Sequence, residues 1–201
     1  MGDVYSENRY LELHQRTREK FPRFVVRLRR RSWLHPIFFV LAKITRQDYS
    51  SFTTTIFSTL YAADDWPERS SDRKYGTLRH ELKHIRQFHS WPLGRRLWPI
   101  NHILMSLAYV FLLPVRWTLR AKFEREGYTQ TMLVDFELNG PFSDQKMESW
   151  ARWLADTFGG SAYAWMWTRK KAYAWAMETM RKINAGEIRN DQDRVDEPRA
   201  A

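Results

Sequence analysis

The residues of this chain best suited by type and spacing to carry chemistry are His80-Glu81-Leu82-Lys83-His84, an HExxH pattern. On an α-helix, positions i and i+4 lie on one face, so both imidazoles can bind one zinc ion. Glu81 follows His80 by about 100° of helical rotation, close enough to reach a metal-bound water but not the metal itself. The combination suits metal-assisted hydrolysis, with the ion activating water and the carboxylate moving the proton. Catalytic zinc generally takes three protein ligands, so one more is needed. Candidates lie in RAKFEREGYTQ, Arg120 to Gln130, which contains Glu124 and Glu126. On a helix Glu124 shares a face with Trp117, Ala121 and Tyr128, the more apolar surface. Glu126 has Lys122 one turn before it and Gln130 one turn after, the pattern of a solvated face.

The elements that must position these groups follow from periodicity and turn chemistry. A helix is expected over 72–88, entered through the cap-type residues Ser70, Ser71 and Asp72 and ending before Trp91-Pro92. Its apolar stripe is Leu78, Leu82 and Ile85, and its basic stripe is Arg79, Lys83 and Arg86. Gly76, His80, His84 and Gln87 share a third face, on which Gly76 permits close approach of a backbone or substrate. Upstream, a short polar helix over 5–20 precedes a strand over 23–30 with basic flanks. Residues 35–44 are apolar in a way that fits helix or strand, and the β-branched, aromatic run 51–61 predicts one strand. Downstream, helices are expected over 115–138 (closed by Asn139-Gly140-Pro141), 143–158 and 161–183. The layout is α+β with helices in the majority: one domain over 1–185 and a polar, disordered tail over 186–201.

HELKHIRQ, followed some forty residues later by FEREGY, resembles the gluzincin branch of zinc metallopeptidases, above all its small minimal-scaffold members (minigluzincin-like). Those families join HExxH, often extended to HExxHxxQ, to a downstream helix whose first glutamate is the third ligand. By position, the resemblance implies metal ligands His80, His84 and Glu124 and a catalytic Glu81. It implies a zincin-like fold, a small sheet packed on the HExxH helix, with the strand 51–61 as the edge lining the substrate cleft. A peptide or protein substrate would add to that edge through main-chain hydrogen bonds. Two positions depart from the family pattern. Gly127 stands where alanine is usual, and Tyr128 stands where many members have an aspartate that hydrogen-bonds a metal-bound histidine. Tyr128, Tyr163 and His102 are the candidate donors to a transition state.

Composition bounds these readings. With 201 residues, 43% apolar and 15% aromatic, the chain can build a full core, which excludes wholesale disorder. Cysteine is absent, which excludes disulfides, thiolate zinc sites and cysteine nucleophiles. The first twenty residues are charged and hold no apolar run, so a secretory signal is not expected and a cytoplasmic, bacterial or phage-encoded protein is. A net charge of +10 suits an anionic partner. The competing class is therefore a non-enzymatic basic protein that binds nucleic acid or a membrane surface, with Arg27, Arg29, Arg30 and Arg31 as its densest basic run. No nucleic-acid fold signature accompanies that run, and Trp150, Trp153, Trp165, Trp167 and Trp175 fall mostly at the helical spacings of a core. Residues 97–115 carry no formal charge and approach bilayer-spanning length. Asn101, His102, Ser106 and Pro114 interrupt them, so a buried hairpin over the active-site helix is expected, with membrane contact as the alternative.

Overall fold

In a computed structural model the chain is α+β and mostly helical; it describes residues 2–32, 35–36, 53–56, 58–89, 119–160, 163 and 165–189. Among them run helix α1 (Gly2–Lys20), strand β1 (Val25–Leu28), a 3-10 turn (Arg29–Arg31), β2 (Thr54–Ile56) and β3 (Thr59–Ala62). Helices α2 (Ser71–His89), α3 (Leu119–Asn139), α4 (Asp144–Gly159) and α5 (Arg169–Asn184) follow. The three strands form one mixed sheet in the order β1-β3-β2, with β1 parallel and β2 antiparallel to β3.

The run 51–61 is thus two strands and not one. The register pairs Thr54 with Tyr61 and Ile56 with Thr59, so β2 and β3 run antiparallel as separate strands. The sequence between them carries no glycine, proline or asparagine, the residues by which a turn announces itself. β2 lies at one edge of the sheet, beside α2.

The apolar stripe of α2 does what its spacing predicts. Leu78, Leu82 and Ile85 are buried against Phe24, Leu60, Ala62 and Trp66, with Tyr10 and Leu13 of α1 closing the cluster. Ser70 caps the helix, its hydroxyl accepting from the Arg73 amide at 3.3 Å. The basic stripe is corrected at Arg79, which is 1% exposed. Its guanidinium pairs with Glu137 of α3 and donates to Gln130 at 3.2 Å.

A second apolar cluster joins α3 to α4 and α5 through Met132, Leu133, Leu154, Phe158, Met180 and Ile183. Gly140 ends α3 at φ +78°, its amide bonding the Phe136 carbonyl. The last helix starts at Arg169 and not at residue 161, because Thr168 caps it by accepting from the Lys171 amide. Just before that cap Trp165 takes φ +49°, which no helix allows. Trp167 and Trp175 pack on the core as expected, whereas Trp153 and Trp165 are exposed. In the basic run, Arg29 turns inward and is buried, so the four arginines do not form one exposed patch.

Residues 186–189 of the expected tail are placed, with Ile188 against the core; 190–201, the apolar segment 97–115 and all but two residues of 35–44 lie outside the described residues. Among the described residues no helix is long and apolar enough to cross a membrane.

Candidate metal centre

Burying Leu78, Leu82 and Ile85 on the sheet side turns the third face of α2 toward α3, and the two helices run antiparallel along it. Arg79 meets Gln130 and Glu137, His80 meets Thr131, and Gln87 meets Phe123 and Glu126. The close approach depends on Gly127. A Cβ built there would lie 2.7 Å from His80 Nε2, too near for any side chain, so the ring occupies the space that glycine leaves. An alanine at this position would press its methyl group into the His80 ring. Gly76, by contrast, has room for a methyl group at 3.5 Å from Val134, so the close-approach role read for it belongs to Gly127.

Ligand-type atoms of His80, His84 and Glu124 lie within 4.8 Å of one another. The two imidazole Nε2 atoms are 3.1 Å apart, and Glu124 Oε2 is 3.8 Å from the first and 3.9 Å from the second. Three ligands held about 2.0–2.2 Å from one zinc ion in tetrahedral array stand roughly 3.2–3.7 Å from each other; the observed 3.1, 3.8 and 3.9 Å come within a few tenths of an ångström of that range, so the donor set suits such an ion after a small adjustment. Glu126 is not among them. Its carboxylate accepts from Gln87 Nε2 at 2.9 Å and lies 3.7 Å from Lys83 Nζ, in place of the expected partner Lys122, which is exposed.

The hydrogen bonds behind the rings hold each at Nδ1 and set the tautomer of His84. Gln87 Nε2 faces two acceptors, the Glu126 carboxylate and the Phe123 carbonyl, so Gln87 Oε1 faces His84 Nδ1 at 2.9 Å. An amide oxygen only accepts, hence His84 Nδ1 carries hydrogen. The Thr131 hydroxyl lies 3.3 Å from the Gly127 carbonyl and 3.1 Å from His80 Nδ1; with its hydrogen on the carbonyl, its oxygen accepts from Nδ1. With hydrogen on both Nδ1 atoms, the two rings turn their Nε2 positions to each other at 3.1 Å. Two bare lone pairs at that distance would repel, so the contact calls for a proton or a metal cation between the nitrogens.

Glu81 is buried, and Thr55 of β2 donates its hydroxyl to Glu81 Oε2 at 2.6 Å. Burial pushes its carboxyl up to about 7; nearby Glu124 adds to the rise, while His84 and the Thr55 hydrogen bond oppose it. Tyr128, at the position where an aspartate was the familiar alternative, stacks edge-on against His80 with ring centroids 4.9 Å apart. Its hydroxyl meets that of Tyr163 at 2.9 Å, and burial raises its pKa. Of the three candidate transition-state donors, these two tyrosines are bound to each other, and His102 lies outside the described residues.

Sequence reasoning had not singled out Thr131 or Thr55. Thr131 was within reach, since 124, 127–128 and 131 share one helical face. Nothing in the threonine run 53–55 marks which hydroxyl turns to the helix. Comparison with protein-family models, with curated proteins and with solved structures yields no match, so the chemistry assigned to this centre rests on its own geometry.

Proposed function

We propose that this chain is a zinc-dependent metallopeptidase of gluzincin type, a single zincin-like domain in which the edge strand β2 flanks the HExxH helix. The observation that carries the reading is the convergence of two imidazole Nε2 atoms, 3.1 Å apart, with the Glu124 carboxylate beside them, each ring held from behind at Nδ1. His80, His84 and Glu124 would hold the ion. When bound, zinc supplies Lewis-acid polarisation of a carbonyl and lowers the pKa of water toward about 7.

The remaining work falls to groups of the chain. Glu81, next to His80 on the helix, takes the proton from attacking water and returns it to the departing amine. A carboxyl poised at about 7 serves both directions of that transfer near neutral pH. Thr55 keeps the carboxylate turned toward the β2 edge through its 2.6 Å hydrogen bond. An extended peptide pairing with that edge would lie alongside Glu81.

The test is cleavage of an unstructured protein substrate by the zinc-loaded chain and by its Glu81→Gln variant. The variant should keep both fold and zinc while losing cleavage by at least about a hundredfold, the usual contribution of a general base. Cleavage at the parental rate by Glu81→Gln would remove Glu81 from the mechanism.

A further inference from the structure

The two histidines are anchored by unlike devices, and the difference points to a role for residues outside the ligand set. His80 Nδ1 is held by the neutral Thr131 hydroxyl. His84 Nδ1 is held by Gln87 Oε1, and the same amide donates from Nε2 to the Glu126 carboxylate at 2.9 Å. Lys83 Nζ stands 3.7 Å from that carboxylate. Charge, carboxylate, amide and imidazole thus form one line that leads from a partly exposed lysine to a buried ligand.

We infer that Gln87 and Glu126 are positioning residues that act on the metal through His84, with Gln87 passing the influence of the Glu126 carboxylate to the ring. The inference rests on the proposed metal site and goes beyond its ligands. An amide that donates to a carboxylate is polarised, so its oxygen becomes a stronger acceptor for the His84 N–H. A more firmly held Nδ1 hydrogen fixes the ring's orientation and makes Nε2 a better electron donor. The carboxylate itself stays one residue removed from the ring, and Lys83 offsets its charge. The device strengthens one ligand without placing a further anion against a centre that already includes Glu124 and Glu81.

The orientation of the amide is what makes the idea testable. Exchanging the two groups, Gln87→Glu with Glu126→Gln, keeps a donor and an acceptor at both links of the line, from His84 to 87 and from 87 to 126, and gives up only the 3.4 Å bond to the Phe123 carbonyl. The amide moved to position 126 can donate to the carboxylate moved to position 87, which in turn accepts from His84. Gln87→Glu alone sets two carboxylates against each other with no hydrogen between them.

The measurement is the zinc dissociation constant of the full chain, read by competition with a chelating dye, for the parent, both single variants and the exchanged pair. Gln87→Glu should bind zinc about 10–100-fold more weakly, the range found for groups behind a metal-bound histidine. The exchanged pair should return to within about threefold of the parent. The visible spectrum of the cobalt-loaded chain should follow the same order, changed in Gln87→Glu and restored in the pair. Melting curves in chelator separate this from helix packing, since a purely structural Lys83–Glu126 pair would lower the melting temperature of Glu126→Gln and leave metal affinities equal. Equal affinities across all four chains, or a pair as weak as Gln87→Glu, would overturn the relay and leave the metal site standing. A parent that binds no zinc would overturn both.

Discussion

Two buried polar clusters sit side by side between α2 and α3, seeded by the adjacent residues Arg79 and His80, and they are built on opposite principles. Around Arg79 the protein supplies its own charge balance. The guanidinium is fully buried, paired with Glu137 and bonded to Gln130 and to the Tyr75 hydroxyl. Around His80 and His84 each outward-facing ring nitrogen has a partner, and the inward-facing Nε2 atoms stand 3.1 Å apart, where a proton or a metal ion must join them. The first cluster closes its charge within the protein, leaving only Arg79 Nε without a hydrogen-bond partner. The second needs a proton or a metal ion between its nitrogens. A buried polar cluster is weak evidence for function when its charges close, and stronger evidence when its geometry asks for a partner.

That contrast can be broken at several points. The largest effect belongs to the ligand glutamate. Glu124→Ala should weaken zinc binding by about a thousandfold or more, about 4 kcal/mol, while Glu126→Ala should cost about tenfold. Zinc titration of the two variants side by side decides it; metal loss confined to the Glu126 variant would reverse the assignment.

At the neighbouring cluster, Glu137→Ala leaves the Arg79 charge buried without its partner and should destabilise the fold by about 3 kcal/mol, with or without zinc. Replacing both members, Arg79→Met with Glu137→Leu, should recover most of that loss, because a closed pair can be exchanged for apolar packing. Denaturant melts of the single and double variants measure it. A double variant as unstable as the single would show that the pair does more than clamp two helices.

The third point is Glu81 in the metal-free chain. The unfolded chain releases this proton near 4.5, whereas the folded chain holds it to about 7. The folded state therefore binds the extra proton, and its stability falls as pH rises from 4.5 toward 7. Glu81→Gln removes the titration, so in chelator the variant should be the more stable by up to about 3 kcal/mol above pH 7, with the advantage gone near pH 4.5. A pH-independent difference would show that the carboxyl is not held neutral by burial.

The smallest effect is at Gly127. Glycine to alanine inside a helix ordinarily stabilises by about 1 kcal/mol. Here the methyl group would meet the His80 ring at 2.7 Å, so Gly127→Ala should destabilise by about 1–2 kcal/mol and weaken zinc binding as the ring shifts. A stabilised variant would mean that the helices can part without disturbing the histidine.

These points also show which parts of the molecule were legible beforehand. Helical periodicity tells which residues share a face, and it placed His80, His84 and Gln87 together and favoured Glu124 over Glu126. It does not tell what the face meets. Arg79 reads as one of three surface cations because its partner Glu137 is 58 positions away. Gly127 reads as a weak helix residue until another helix presses a ring against it. Composition identified the run 51–61 as extended but could not locate the division between β2 and β3, and the aromatic residues 165–167 imitate a helix that their backbone does not form.

The account turns on whether a cation resolves the confrontation between His80 and His84, and metal content is its most direct test. The chain, purified with zinc present and then freed of loose metal by desalting, should retain about one zinc ion per molecule, as should Glu81→Gln. His84→Ala should retain almost none while keeping its helical content. Substoichiometric zinc in the parent, or equal zinc in parent and His84→Ala, would contradict the claim that these residues form a metal centre.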